Sequence, residues 1–389
     1  MSAIRKPTAI QSFFQTGNVW WDYYRRNIET IRPAEFENII KLLSCGKLIK
    51  GYKTYCCSKK GCTHTKNVTF GCKSRFCPTC GKKATDLWVN KQRSILPQTD
   101  WQHITFTMPD KLWPPLKEKR ALLKKIAKLA ADTIQTKAKK RKINVAIFTA
   151  MHTFGRDLKW HVHIHLSVTM GGLSEDNSEW KKIRFSKKAI MPMWRKRVIK
   201  LMKDAQKSGE ISVTAAMLEV QYHKKWIVHF AKPTTNAWRT ISYLGRYIKR
   251  PPLSQSRLEH YDGTKVTFNY LNHKTGKYQK GTYSTDEFIQ RFIQHIPDKG
   301  FRMIRYYGIL ANRVRGKLLP IVYDLIDQIV KPVTFIGWAG LLKNAFGVDP
   351  LKCILCGSKM VFRGMTFGKS NRELKNYHEE LATRQIIRL

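Results

Sequence analysis

The segment Trp160-His161-Val162-His163-Ile164-His165-Leu166 constrains this chain more than any other. Histidines alternate with apolar residues. In a strand, successive side chains point to opposite faces, so the three imidazoles share one face and Val162, Ile164 and Leu166 the other. Three imidazoles together make a poor core and a good platform for a metal ion. Residues 143–154 read as a preceding strand and Gly155-Arg156-Asp157-Leu158-Lys159 as the turn between them. Folding the chain there brings His152 opposite residues 161–163. His152, His163 and His165 form one ligand set, with His161 as the competing member. A single histidine is ordinarily a satisfied core or surface residue, and only the repetition argues otherwise. Three imidazoles with open coordination positions suit a catalytic divalent metal. By ligand type the ion is zinc, manganese or nickel, because magnesium prefers oxygen.

Elsewhere the pattern is mixed. Residues 1–44 read as helical, with Phe36, Ile39, Ile40 and Leu43 at helical spacing. Residues 82–98 and 191–205 read as helices, 115–140 as one long helix, and 103–108 as a strand stopped by Pro109. The histidine strand is expected to break at Gly171-Gly172. Residues 211–231, with Trp226-Ile227-Val228, read as a strand pair or a single strand with flanks, and 266–283 as a hairpin turned at Lys274-Thr275-Gly276. From residue 285 helices are expected to the C-terminus, interrupted around 297–300. Strands and helices that mix without regular alternation predict an α+β fold.

A short helix over residues 242–250, halted by Pro251-Pro252, carries Tyr243-Leu244-Gly245-Arg246-Tyr247. Tyrosines four apart lie on one side of a helix. Packing is the ordinary use of such a pair. The neighbours point to chemistry instead: Arg246, Lys249 and Arg250 supply phosphate-binding charge, and Gly245 is costly within a helix. A phenol with a pKa of about 10 is a sluggish nucleophile until a metal activates its target. A phosphodiester is such a target. Attack would leave a phosphotyrosine and a freed sugar hydroxyl, keeping the bond energy for a later joining step.

The chain carries 72 Lys+Arg against 27 Asp+Glu, a formal net charge of +45. That excess calls for a polyanionic partner, with DNA preferred over RNA or an acidic membrane. No apolar run approaches the roughly 18 residues a spanning helix needs, and the N-terminal residues lack the apolar block of a signal peptide. A reducing, cytoplasmic setting is expected, in which the nine cysteines serve as thiols or metal ligands. Seven of the nine fall within residues 45–81. Cys57-x4-Cys62 and Cys77-Pro78-Thr79-Cys80 have the form of two knuckles of a four-thiolate structural zinc, with Cys56, Cys72 and His64 as alternative ligands. Cys353-Ile354-Leu355-Cys356 is half a knuckle, either completed by a distant ligand such as Cys45 or inert. Trp226 or Trp238 is a candidate for stacking on bases.

These motifs in order resemble the rolling-circle insertion-sequence transposases, the two-tyrosine group of the HUH endonuclease superfamily. Gly71-Cys72-Lys73-Ser74-Arg75-Phe76-Cys77-Pro78-Thr79-Cys80 is similar to that family's zinc domain. Ile104 to Pro109 looks like its first strand, and His152 to Leu158 with Trp160 to His165 like its metal motif. Tyr243 to Tyr247 with Arg250-Pro251-Pro252 looks like its tyrosine motif, and Glu287 to Phe292 with Gly300 to Gly308 like its C-terminal signature. Val162 stands where the family often has proline. The resemblance implies a central antiparallel sheet with the His-x-His pair on a central strand and the tyrosines on a facing helix. It implies His163 and His165 as ligands of magnesium or manganese, and Tyr243 and Tyr247 as nucleophiles. It further implies a single-strand nick leaving a 5′-phosphotyrosine, and DNA partners in the form of single-stranded or hairpin element ends and a target strand in bacterial cytoplasm. The expected domains are a helical, zinc- and DNA-binding segment 1–95, a catalytic segment 96–284 and a helical segment 285–389. A plasmid replication initiator or relaxase shares the chemistry, but no Gly-x4-Gly-Lys-Ser/Thr loop is present. A small-molecule hydrolase leaves the charge unexplained, and a non-catalytic zinc DNA-binding protein leaves the histidine strand unexplained.

Overall fold

The computed structural model describes residues 7–248, 251–272, 275–330, 337–347 and 349–386. The chain divides into two compact units, neither of them contiguous. One comprises Met1–Asp86, Lys249–Ile296 and Thr334–Leu389, the other Leu87–Ile248 and Pro297–Val333. The strands are β1 (Gly51–Cys57), β2 (Thr65–Thr69), β3 (Trp101–Phe106), β4 (Ile143–Phe154), β5 (Trp160–Ser174), β6 (Trp180–Lys182), β7 (Val228–Phe230), β8 (Leu258–Tyr261), β9 (Lys265–Leu271), β10 (Tyr278–Ser284), β11 (Ile304–Gly308) and β12 (Met360–Phe367). Helices and antiparallel sheets coexist, so the class is α+β. No helix among the described residues is long and apolar enough to cross a membrane.

The second unit is built on one antiparallel sheet of order β11-β4-β5-β3-β7, with β6 added to β5. Its long central pair follows from the alternation in the sequence. Val162, Ile164, Leu166 and Val168 of β5 are fully buried in a core shared with Leu122, Ile126 and Ile134 of the helix Ala121–Lys139 and Trp194, Val198 and Met202 of the helix Lys187–Lys207. Each such aliphatic side chain contributes roughly 1.5–3 kcal/mol on burial. The opposite face of the sheet carries Trp101, Ala146, Phe148 and Ala150, a second core.

Three local expectations are corrected. Gly171-Gly172 does not break β5, which runs on to Ser174. A Cβ at Gly171 would run into the Trp180 ring, and one at Gly172 into the Asn144 carbonyl, so the glycines permit close strand approach rather than end the strand. Residues 211–231 hold one short strand, β7, and not a strand pair; its N-terminal flank is a helix, Ala215–His223. Thr214 starts that helix by accepting the Met217 N–H at 3.1 Å. The segment after residue 285 is not all helical. It also supplies β11, paired with β4, and β12.

The first unit holds two three-stranded sheets, β12-β1-β2 and β10-β9-β8. β9 and β10 form the expected hairpin. In this unit Phe13, Phe14, Trp20, Phe288 and Phe292 form edge-to-face, tilted and stacked pairs with centroids 5.0–6.1 Å apart. The helix Asn371–Ile386 packs on the helix Pro33–Leu43, and Asn18 donates to the Ala382 carbonyl at 3.0 Å.

Candidate active site and metal centres

β4 and β5 pair so that His152 faces His163 and Ala150 faces His165. Cross-strand partners share a face, and His152, Ala150, Phe148 and Ala146 alternate along one side of β4. Nitrogens of His152, His163 and His165 lie within 4.8 Å of one another. His152 is buried, whereas His163 and His165 are part-exposed. His161 lies outside this cluster, its ring tilted against Trp113 with centroids 4.6 Å apart. The turn that sets the register is closed by Gly155 and Lys159, whose backbones hydrogen-bond at 2.9 Å. Within it, Leu158 takes φ +63° while fully buried. The left-handed conformation costs on the order of 1 kcal/mol, which burial of an isobutyl group offsets.

The surroundings favour neutral rings. Burial pushes the His165 imidazole down to about 3, aided by His103, and pushes His163 well below its usual value. A neutral ring keeps a lone pair for a cation. His163 Nδ1 lies 3.1 Å from the His161 carbonyl, which only accepts, so Nδ1 carries the proton and Nε2 is the donor atom. His103 on β3, used above only as a strand residue, completes the arrangement. Its Nε2 lies 3.1 Å from His165 Nδ1, and its Nδ1 lies 3.2 Å from Ser167 Oγ. That chain orients the His165 ring. Burial lowers His103 to about 4. The donor set therefore fits a divalent ion held by nitrogen.

The tyrosine segment lies within the helix Ala237–Ile248. Asn236 Oδ1 accepts the Arg239 N–H at 3.0 Å at its start. Thr234 exchanges backbone hydrogen bonds with Trp101, both 2.9 Å, tying this start to β3. Ala237, Thr240, Ile241 and Gly245 are buried along one helical seam. Ala237 and Ile241 enter the core of Trp101, Ala146, Phe148 and Ala150. By alternation along β3 and β4, that is the sheet face bearing His103 and His152. The helix carrying positions 243 and 247 thus packs on the face that carries the imidazoles. The side chains of Tyr243, Arg246 and Tyr247, and the whole of Lys249 and Arg250, lie outside the described residues. Trp226 is buried, its Nε1 donating to Gln221 at 2.9 Å, which removes it from base stacking. Trp238 is exposed, with the Arg93 guanidinium over its ring, 3.2 Å from the centroid.

The cysteines depart from the expected set. Cys57, Cys62, Cys77 and Cys80 do not form one cluster. Cys45, Cys72, Cys77 and Cys80 gather in one group, and Cys57, Cys62, Cys353 and Cys356 in another, each with its sulfurs within 4.8 Å. The reason is topological. Cys77 and Cys80 open the helix Pro78–Arg93 beside Cys45, which follows the helix Pro33–Leu43. Cys57 and Cys62 sit at the β1–β2 turn, where pairing of β1 with β12 delivers the 353–356 knuckle. In the first group three Sγ–Sγ separations are 3.6–3.7 Å, close to the ~3.8 Å edge of a tetrahedron with Zn–S of about 2.3 Å. Hydrogen bonding by Cys45 holds the Cys80 thiol well below its usual range. Cys56 joins neither group, and His64 Nδ1 approaches Cys353 Sγ at 3.1 Å.

With the geometry laid out, comparison with known proteins adds the following. Residues 16–108 match the family described as "Transposase zinc-binding domain", and residues 146–317 the family described as "Putative transposase". The chain is 38% identical to the transposase for insertion sequence element IS801 of Pseudomonas savastanoi pv. phaseolicola, covering 100% of this chain and 97% of that protein. It is 26% identical to y4qJ of Sinorhizobium fredii (strain NBRC 101917 / NGR234), named under the same description as the second family, over 79% of this chain and 82% of that protein. No solved structure matches the chain.

Proposed function

The chain belongs to the insertion-sequence transposase family that includes the IS801 transposase, and from that premise we propose that it cuts and rejoins single DNA strands through a tyrosine-linked 5′-phosphate. The observation that carries this reading is the seating of the helix Ala237–Ile248 on the imidazole-bearing face of the sheet.

His152, His163 and His165 are the ligands of a divalent ion, magnesium or manganese by family likeness, with their nitrogen character favouring manganese. When bound, that ion supplies neutralisation of charge developing on the non-bridging phosphate oxygens. His103 holds the His165 ring in register, and burial keeps His163 and His165 unprotonated. Tyr243 or Tyr247 attacks phosphorus through its phenolic oxygen. The O–P bond to tyrosine forms as the bond from phosphorus to the 3′-oxygen breaks, and the phenol proton is accounted for on the released 3′-hydroxyl. Attack by a 3′-hydroxyl on the phosphotyrosine reverses the step and joins a strand. Two tyrosines allow two such exchanges in one centre. Arg246, Lys249 and Arg250 contact the phosphate backbone. The partners are single-stranded or hairpin element ends and a target strand, wherever the bacterial chromosome is accessible. Cys45, Cys72, Cys77 and Cys80 hold a structural zinc in the zinc-binding domain.

A labelled single-stranded oligonucleotide carrying an element end, incubated with protein and manganese and then denatured, should yield a covalent protein–DNA band. Tyr243→Phe with Tyr247→Phe should reduce that band by roughly 10³-fold or more while retaining DNA binding. An undiminished adduct in the double variant removes the nucleophile assignment. Absence of any adduct with every strand tried leaves a DNA-binding protein without this chemistry.

A further inference from the structure

The cysteine pair at 353 and 356 lies beyond both matched segments, which end at residues 108 and 317. We infer that Cys57, Cys62, Cys353 and Cys356 form a second structural zinc site, which clamps the C-terminal strand β12 onto the N-terminal zinc-binding domain. The geometry is that of a tetrathiolate. All four sulfurs lie within 4.8 Å of one another, with Cys57–Cys356 at 3.3 Å and Cys62–Cys353 at 3.9 Å. These bracket the ~3.8 Å edge set by Zn–S bonds of about 2.3 Å, and all four cysteines are free thiols rather than disulfides.

Both halves are folded as knuckles. Cys353 N–H donates to the Ser358 carbonyl at 2.7 Å, and Gly357 N–H returns to the Cys353 carbonyl at 2.9 Å. Gly357 holds φ +72°, a conformation that L side chains rarely adopt. On the other half, Lys59 N–H points at Cys57 Sγ at 3.4 Å, an amide-to-sulfur contact that steadies a thiolate. Lys59, Lys60, Lys352 and Lys359 flank the four cysteines in sequence, which offsets the double negative charge of zinc with four thiolates.

The fold around the site also needs such a clamp. Among the described residues, the cluster under β12-β1-β2 has three buried apolar residues, Tyr55, Cys353 and Met360. A core that small supplies little stability, and domains of this kind are commonly stapled by metal. Cys62 and Cys353 are 291 residues apart in a chain of 389, so an ion here closes a loop of about three quarters of the chain. Its role is structural, with no open position and no part in DNA cleavage.

Differential alkylation of the full-length wild-type protein, purified with zinc under reductant, tests this. Cys56 belongs to neither cluster and is the internal control. The expected result is rapid alkylation at Cys56, protection at Cys57, Cys62, Cys353 and Cys356, and loss of that protection when a chelator is added. Alkylation of Cys353 and Cys356 as fast as Cys56 in the zinc-loaded protein overturns the site. The second measurement is metal content. Cys353→Ser with Cys356→Ser, both made in a His163→Ala, His165→Ala background, should carry one zinc per chain fewer than that background. An unchanged zinc count also overturns it. Continued protection of Cys45, Cys72, Cys77 and Cys80 in the same variant separates loss of this ion from unfolding of the zinc-binding domain. If those four lose protection too, the comparison reverts to the wild-type alkylation pattern, which decides.

Discussion

The imidazole cluster and the cysteine clusters are assembled in opposite ways. His152, His163 and His165 come from one hairpin, within a span of 14 residues, and the turn at Gly155–Lys159 places them. The cysteines of the second cluster come from the two ends of the chain, brought together by the pairing of β1 with β12. The hairpin is a local device whose register one short turn sets. The clamp is a global device that exists only when the whole first unit has formed. A centre for chemistry gains from the first property, because ligand positions within about 0.5 Å matter there. A structural staple gains from the second, because its stabilisation grows with the length of loop it closes.

That contrast can be broken most sharply at the hairpin. His163→Ala with His165→Ala should lower metal-dependent adduct formation by more than about 100-fold, the upper cost of merely disturbing a ligand's support. Zinc bound by the cysteines and the thermal melting temperature should stay close to wild type. If melting collapses as well, the two devices are not independent. A smaller effect is expected at His103. His103→Phe should weaken manganese affinity about 10–100-fold, with activity restored by excess metal, because it removes the partner of His165 Nδ1 and not a ligand. Titration calorimetry showing unchanged affinity would mean that the His165 ring is held without it.

The smallest effect concerns the first unit. His378 is buried with Nε2 2.9 Å from Ser44 Oγ, and burial, then Lys47, pushes it down to about 4. The folded state therefore binds this proton less readily than the unfolded chain. Stability from this group is fully present above the unfolded value of 6.5 and is lost as pH falls from there toward about 4, at up to about 1.4 kcal/mol per pH unit. Chemical denaturation of wild type and His378→Leu at pH 7 and pH 5 should show a steeper acid loss in wild type. Equal slopes would refute it.

The same contrast between local and distant explains what the sequence made legible. The alternation from Trp160 to Leu166 and the turn before it specify strand, face and partner without reference to anything far away. The β9–β10 hairpin was legible for the same reason. The tyrosine segment was placed on a helix by spacing, although that helix begins earlier, at Ala237. His103 was missed as a member of the site because its tie to His165 depends on the β3–β5 register, which no short-range pattern encodes. The cysteine partition was missed because ligand spacing within residues 45–81 says nothing about residue 353. β11 and β12 are short strands in a stretch of helical character, and each is selected by a distant partner strand. At 211–231 the apolar run Trp226-Ile227-Val228 drew attention away from Thr214, whose capping hydroxyl was the better local signal.

The pairing of β1 with β12 has a consequence for how the molecule is made. β1 leaves the ribosome about 300 residues before its neighbour, an interval of roughly 15 to 60 seconds at ordinary elongation rates. Throughout that time one side of β1 has nothing to bond with, and an unpaired strand edge invites pairing with another nascent copy. A transcript cut short before residue 360 leaves the edge open permanently. Synthesis through residue 367 is what closes that edge.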